Sequence, residues 1–128
     1  MAGFVTNLED ATLKNTNFRQ VLYTAPHSQL VVMSIGVGED IGLEVHSDVD
    51  QFIRVESGAG QAILDGLTFP LVDGSAIVVP AGTQHNIINT SADSPLKLYT
   101  VYTPPQHPDG TVHLTKDEAQ QAEKLEHH

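Results

Sequence analysis

Between Phe18 and Thr103 the apolar residues come in short runs rich in β-branched and aromatic side chains, and Gly, Pro, Asp or Asn interrupts them every few residues. That rhythm is too broken for long helices and predicts many short antiparallel strands. Strands are expected over residues 18–23, 28–37, 43–46, 51–57, 61–64, 68–72, 75–79, 85–90 and 96–103. Asp65-Gly66 falls between two of them and reads as a tight hairpin turn, because both residue types tolerate positive φ. So many short strands in a chain of 128 residues must stack or close, since an open sheet would leave edges unpaired. The expectation is an all-β sandwich or barrel, one domain over residues 1–124 with its barrel core at about 18–103.

The flanks read differently. After Pro104-Pro105, the stretch Thr115-Lys116-Asp117-Glu118 matches a helix capping box and is followed by helix formers over 119–124, which predicts a short polar C-terminal helix on the surface. Residues 1–17 fit either an arm or a short helix. Leu125-Glu126-His127-His128 reads as the start of a vector-encoded polyhistidine tail and is kept out of the fold and metal arguments. The turn-rich stretch 104–113 carries His107 and His113. It reads as a connection to the helix, or as a lid over a barrel mouth that brings those histidines near a site.

Composition narrows the chemistry. The chain has no cysteine, which excludes disulfides, thiolate metal sites and cysteine nucleophiles and is compatible with a reducing cytoplasm. Its formal net charge is -10, or about -9 without Glu126, which repels nucleic-acid phosphates and anionic membranes. Neither nucleic acid nor membrane is expected as a partner, and a cytoplasmic location is the expectation.

Two glycine-anchored stretches carry the remaining signal. Gly38, Glu44, His46, Gln51 and Gly58 follow the spacing Gly-x5-Glu-x-His-x4-Gln-x6-Gly. On a strand, a separation of two sends Glu44 and His46 to one face and Leu43 and Val45 to the other. Gln51 opens the next strand in phase with Ile53 and Val55, so a short turn through Ser47 to Asp50 can bring all three polar groups together inside a barrel. Asp48 and Asp50 fall off this spacing and read as solvated turn residues. Further on, Gly74, Pro80, Gly82, His85 and Asn89 follow Gly-x5-Pro-x-Gly-x2-His-x3-Asn, with His85 starting a strand straight after a rigid Pro-Ala-Gly turn.

These stretches resemble the paired motifs of the cupin superfamily, whose usual first motif is Gly-x5-His-x-His-x3-4-Glu-x6-Gly and whose second is the pattern just quoted. The second motif matches at every fixed position. In the first the spacing holds, but Glu44 stands at the usual first His and Gln51 at the usual Glu. The resemblance implies a double-stranded β-helix, a jelly-roll barrel with a short C-terminal helix, holding one divalent transition metal (Mn, Fe, Ni, Co or Zn) on Glu44, His46, Gln51 and His85. The usual set of three His and one Glu offers one carboxylate, and so does this one, with the charge moved to another position. Two imidazoles, a carboxylate and a carboxamide oxygen suit those ions and leave one or two coordination positions open.

By the same resemblance, the chain is expected to be a metal-dependent enzyme acting on a small polar organic molecule, of isomerase, lyase or dioxygenase type. The alternative is a non-enzymatic module that binds a small ligand or the metal. Six Lys and Arg residues, none clustered, argue against a sugar phosphate. Catalytic residues are not assigned by the sequence. A homodimer is expected, with the apolar 18–37 region offering a long strand for pairing.

Overall fold

The computed structural model describes residues 2–126, so His127 and His128 of the expected tail lie outside the described residues. In chain order the elements are α1 (Leu8–Lys14), β1 (Arg19–Thr24), β2 (Gln29–Ile35), β3 (Asp50–Ser57), β4 (Gly60–Leu64), β5 (Leu67–Leu71), β6 (Ala76–Val79), β7 (His85–Asn89), β8 (Leu96–Thr103), β9 (Val112–His113) and α2 (Lys116–Glu126). The strands form two antiparallel sheets, ordered β6-β3-β8-β2-β1-β9 and β5-β4-β7. The arrangement is the expected jelly roll with a short C-terminal helix.

Alternation in the sequence decides which side chains turn inward. Along β8, Leu96, Leu98, Thr100 and Tyr102 are buried, while the residues between them are only partly covered. Along β3 the inward set is Gln51, Ile53 and Val55, and it meets β8 in register as Gln51↔Tyr102, Ile53↔Thr100 and Val55↔Leu98. The facing sheet adds Ala62 and Ile87, paired across β4 and β7. Each large apolar side chain removed from water this way contributes about 1.5–3 kcal/mol. Two polar residues, Gln51 and Thr100, therefore sit at inward positions among apolar neighbours on β3 and β8.

Turn chemistry matches its prediction at Asp65-Gly66. Both residues have positive φ, at 46° and 82°, and Leu64 pairs with Leu67 across the two-residue loop. Residues 43–46 depart from expectation and do not form a strand. The segment instead runs along β7 through isolated bridges, Asp40↔Ile88 and Glu44↔His85. Between the bridges Gly42 takes a φ of 93° and donates its N–H to Asn86 Oδ1 at 3.1 Å, which breaks the extended run that a continuous ladder needs.

Residues 1–17 contain a helix: the Asn7 side chain caps α1 by accepting from Asp10 N at 3.0 Å, with Glu9 and Asp10 in the first turn and Lys14 in the last. The stretch 104–113 contains β9, which pairs with β1 as Arg19↔His113. In α2, Thr115 Oγ1 accepts from Glu118 N at 3.1 Å, as the capping pattern predicts, and the helix extends through Leu125 and Glu126. It is not wholly a surface element, because Ala119 is buried and Lys116 Nζ pairs with Asp40. The 18–37 region offers no free long strand: β2 has β8 on one side and β1 on the other, and β1 has β9 on its other side. No helix among the described residues is long and apolar enough to cross a membrane.

Candidate metal centre

The site is assembled by backbone contacts that bring the two motifs together. Glu44 N donates to His85 O at 2.8 Å and His85 N donates to Glu44 O at 2.9 Å, so the two residues are paired at their main chains. His46 is fixed next to them, its carbonyl accepting from Gly82 N at 2.7 Å. That contact depends on the Pro80–Thr83 turn, in which Thr83 N donates to Pro80 O at 3.1 Å and Gly82 has a φ of 86°. A positive φ at the third position of such a turn is a glycine conformation. Asp50, expected to be a solvated turn residue, remains exposed but accepts from Ala81 N at 2.8 Å and so ties the same turn to the start of β3.

Leu43 and Val45 are exposed, while Glu44 and His46 are only partly so; the predicted two-face division holds even without a strand. The ligating atoms of Glu44, His46 and His85 lie within 4.8 Å of one another, a grouping that can hold a metal ion. Glu44 Oε2 is 3.1 Å from His46 Nε2. The contact is out of line for a hydrogen bond, so that nitrogen has none. His85 is fully buried, and its Nδ1 lies 3.0 Å from Thr83 O. A carbonyl can only accept, so Nδ1 carries the proton and Nε2 keeps a free lone pair, as a metal-binding imidazole requires.

Gln51 is oriented in the same manner. Its Nε2 donates to Thr100 Oγ1 at 3.0 Å, which leaves the carbonyl oxygen as the unengaged end of the amide. The three atoms His46 Nε2, His85 Nε2 and Gln51 Oε1 are all buried and have no hydrogen-bond partner. A buried polar atom without a partner costs about 1–3 kcal/mol. A divalent cation can satisfy the two imidazole nitrogens and the Glu44 carboxylate, which lie within 4.8 Å of one another, and a carboxamide oxygen such as that of Gln51 is a donor type that suits the same ions. The last fixed residue of the second motif, Asn89, is structural, because its buried Nδ2 donates to the carbonyls of Ile35, Gly36 and Ser94 at 3.0, 3.1 and 2.9 Å.

A cavity of about 700 Å³ opens at Glu44 and His46 and is walled further by Asp48, Pro105, His107 and Glu123. Of the stretch 104–113, residues 105–108 line this cavity. Gln29, itself buried, holds that segment with three hydrogen bonds, donating to His107 O at 2.7 Å and accepting from Gln106 N and His107 N at 3.2 and 3.0 Å. The His107 ring stands edge-on to Tyr102, with centroids 5.1 Å apart, and Tyr102 also meets the His46 ring at 6.2 Å. Burial, with smaller effects from Arg19, His113 and His46, pulls His107 down to about 3, so it is neutral at pH 7. Burial pushes the Tyr102 phenol up to about 12 against the lowering effect of Arg19. His113 lies apart from the ligand cluster, its Nδ1 3.4 Å from buried Arg19 Nη1, and Arg19 also faces Glu123 at 3.8 Å.

Sequence reasoning missed Thr83, Thr100, Gln29 and Arg19. Alternation carried a signal for three of them: Thr100 is in phase with Leu98 and Tyr102, Arg19 with Val21, and Gln29 with Val31, Met33 and Ile35, so each is a polar residue at an inward position. Thr83 supplies only its main-chain carbonyl, which no residue type betrays, and the partners of Gln29 are brought near only by the fold.

A sequence model described as "Cupin domain" matches residues 31–102, and the chain belongs to the cupin family. It is 54% identical over 126 residues to YrkC of Bacillus subtilis (strain 168), described as an uncharacterized protein; the match covers 94% of this chain and 67% of that one. The crystal structure of BH2720 from Bacillus halodurans superposes with a TM-score of 0.90 at 50% identity, covering 92% of this chain and 93% of that one. A shorter match, 34% identical over 73 residues, is to the quercetin 2,3-dioxygenase of Bacillus subtilis (strain 168) and covers 57% of this chain and 22% of that enzyme.

Proposed function

We propose that residues 1–124 act as one metal-binding cupin domain in which Glu44, His46, Gln51 and His85 together hold a single divalent ion of Mn, Fe, Ni, Co or Zn. We further propose that it is a cytoplasmic, homodimeric enzyme acting on a small polar organic molecule, of isomerase, lyase or dioxygenase type. The observation that carries the reading is the set of buried, unpartnered atoms His46 Nε2, His85 Nε2 and Gln51 Oε1 beside the Glu44 carboxylate. Among the three reaction types, the match to a dioxygenase over 73 residues favours oxygenation.

When bound, the ion supplies Lewis-acid polarisation of a carbonyl or hydroxyl, or an electron source for dioxygen. The chain's own residues do the rest. Thr83 and Thr100 fix which atoms of His85 and Gln51 face the ion, so the donor set is arranged before anything binds. Glu44 offsets one of the two positive charges, and its second oxygen can hold a substrate proton. Gln29 keeps the Pro105–Pro108 wall over the cavity and limits entry of bulk water.

Elemental analysis of tail-free protein after loading and desalting tests the ligand assignment. One ion per chain is expected in the wild type, with loss of stoichiometric metal in His85→Ala. Full metal content in both His85→Ala and Glu44→Gln would refute the four-residue centre.

A further inference from the structure

The ligand set accounts for three of the buried polar atoms that have no hydrogen-bond partner, but a fourth in the same region, His107 Nε2, remains. It does not join the cluster whose ligating atoms lie within 4.8 Å, which comprises Glu44, His46 and His85. Yet His107 lines the cavity that opens over Glu44 and His46. Its position is built: three hydrogen bonds to buried Gln29 hold its main chain and that of Gln106, and the Tyr102 ring contacts both His107 and His46. A desolvated ring nitrogen held this firmly beside a cavity, with no protein partner, is satisfied when a ligand brings a hydroxyl or carbonyl group to it.

The cavity walls set the charge of that ligand. Glu44, Asp48 and Glu123 contribute carboxylates, and among the described residues no Lys or Arg lines the space. Arg19 is buried, does not line the space, and has its Nη1 3.8 Å from Glu123 and 3.4 Å from His113 Nδ1, while its Nε has no hydrogen-bond partner. One carboxylate is offset by the ion, and the remaining field disfavours an anionic guest.

We propose that His107 is a substrate-binding residue of this cavity, taking a hydroxyl or carbonyl group of an uncharged, oxygen-bearing small molecule, and that the acidic walls exclude phosphates and other polyanions. The inference rests on the metal reading above. The test uses tail-free full chain loaded with cobalt(II), whose visible spectrum and metal content are followed during titration with catechol and, separately, with 4,5-dihydroxybenzene-1,3-disulfonate. Both probes carry the same pair of hydroxyls, and only the second is a polyanion.

Catechol is expected to perturb the cobalt spectrum and to bind at least tenfold tighter than the disulfonate. His107→Phe keeps the ring against Tyr102 and should retain one cobalt per chain while weakening catechol about fivefold to tenfold, the effect of one lost hydrogen bond. His107→Gln, which restores a polar group, should recover part of that loss. Unchanged catechol affinity in His107→Phe, no catechol binding to cobalt-loaded wild type, or equal binding of the two probes overturns the inference and leaves the metal reading standing. Loss of cobalt from His107→Phe alone makes His107 a ligand and also overturns it. Failure of the wild type to load cobalt overturns the metal reading and this inference together.

Discussion

Glu44→Gln separates charge from shape at the proposed centre, because the amide is nearly isosteric with the carboxylate it replaces. Without metal the change should be small. Glu44 is partly exposed and its contact with His46 Nε2 at 3.1 Å is not an aligned hydrogen bond, so stability should move by less than about 1 kcal/mol. With metal the change should be large, since Glu44 is the sole carboxylate among the four ligands. At a free metal concentration of about 100 times the wild-type Kd, binding stabilises the folded chain by about 2.7 kcal/mol. For 128 residues the unfolding entropy is about 0.27 kcal/mol/K, so the wild-type Tm should rise by about 10 °C. A loss of tenfold in affinity leaves the variant at about 10 times its own Kd, worth about 1.4 kcal/mol, and halves the shift to about 5 °C. Calorimetry of tail-free protein with chelator and then with metal gives both numbers. Equal metal-induced shifts in wild type and Glu44→Gln would refute the charge argument.

Further expectations concern the ligand swap, the turn, acid stability and assembly. Gln51→Glu should keep or tighten metal binding, and Glu44→His with Gln51→Glu should still load one ion with an altered preference among Mn, Fe and Zn; a double variant that loads none would refute interchangeable ligand positions. Gly82→Val forces a β-branched residue to the φ of 86° and should cost about 1–3 kcal/mol, read as a lower Tm; an unchanged Tm would count against the turn's role. His107, at about 3 in the folded chain through burial and about 6.5 unfolded, leaves the unfolded state with one more proton between those values. Stability should therefore fall on acidification by up to about 1.4 kcal/mol per pH unit from this residue, and His107→Phe should flatten the metal-free urea-stability profile over that window; superimposable pH profiles would refute it. A homodimer is expected, and the apolar row Val78, Phe52, Val101 and Leu30, adjacent in register on the outer sheet face, is the contact surface we expect; light scattering showing a monomer at micromolar concentration would refute it.

Much of this molecule is legible in its sequence because strands and turns report themselves locally. Strand 96–103 is found where the alternation puts it, and eight of the nine expected strands match observed ones within a few residues. The exception, 43–46, looks extended because Leu43 and Val45 alternate with Glu44 and His46. Whether an extended segment becomes a strand depends on its neighbour, however, and Gly42 permits only single bridges to β7. Likewise β9 is two residues long and exists only because β1 lies beside it. The grouping of Glu44, His46 and His85 was readable from spacing, whereas the supports around it were not: Thr83 acts through a carbonyl, Gln29 reaches 78 residues along the chain to His107, and neither type is distinctive alone.

Glu44 at the usual His position and Gln51 at the usual Glu position are physically permissible because the backbone, not the side chains, sets the site's geometry. Glu44 is located by main-chain bonds to His85, His46 by its carbonyl to Gly82, and Gln51 by pairing with both Val79 and Tyr102 across β3. None of these bonds depends on which side chain stands at 44 or 51. The side-chain orienting contact at 51 is equally indifferent. A glutamate at 51 can still accept from Thr100, whose hydroxyl can donate as well as accept, so the carboxylate can return there without a new partner. At 44 the side chain sits at the cavity mouth, where a carboxylate is both ligand and wall. On the proposed ligand assignment, placing the negative charge at Glu44 in the cavity wall rather than on β3 keeps the charge of the centre constant and makes that wall more acidic. The departure from the usual motif is then expected to alter what the cavity admits more than whether a cation binds, and the Gln51→Glu and double variants above test that expectation.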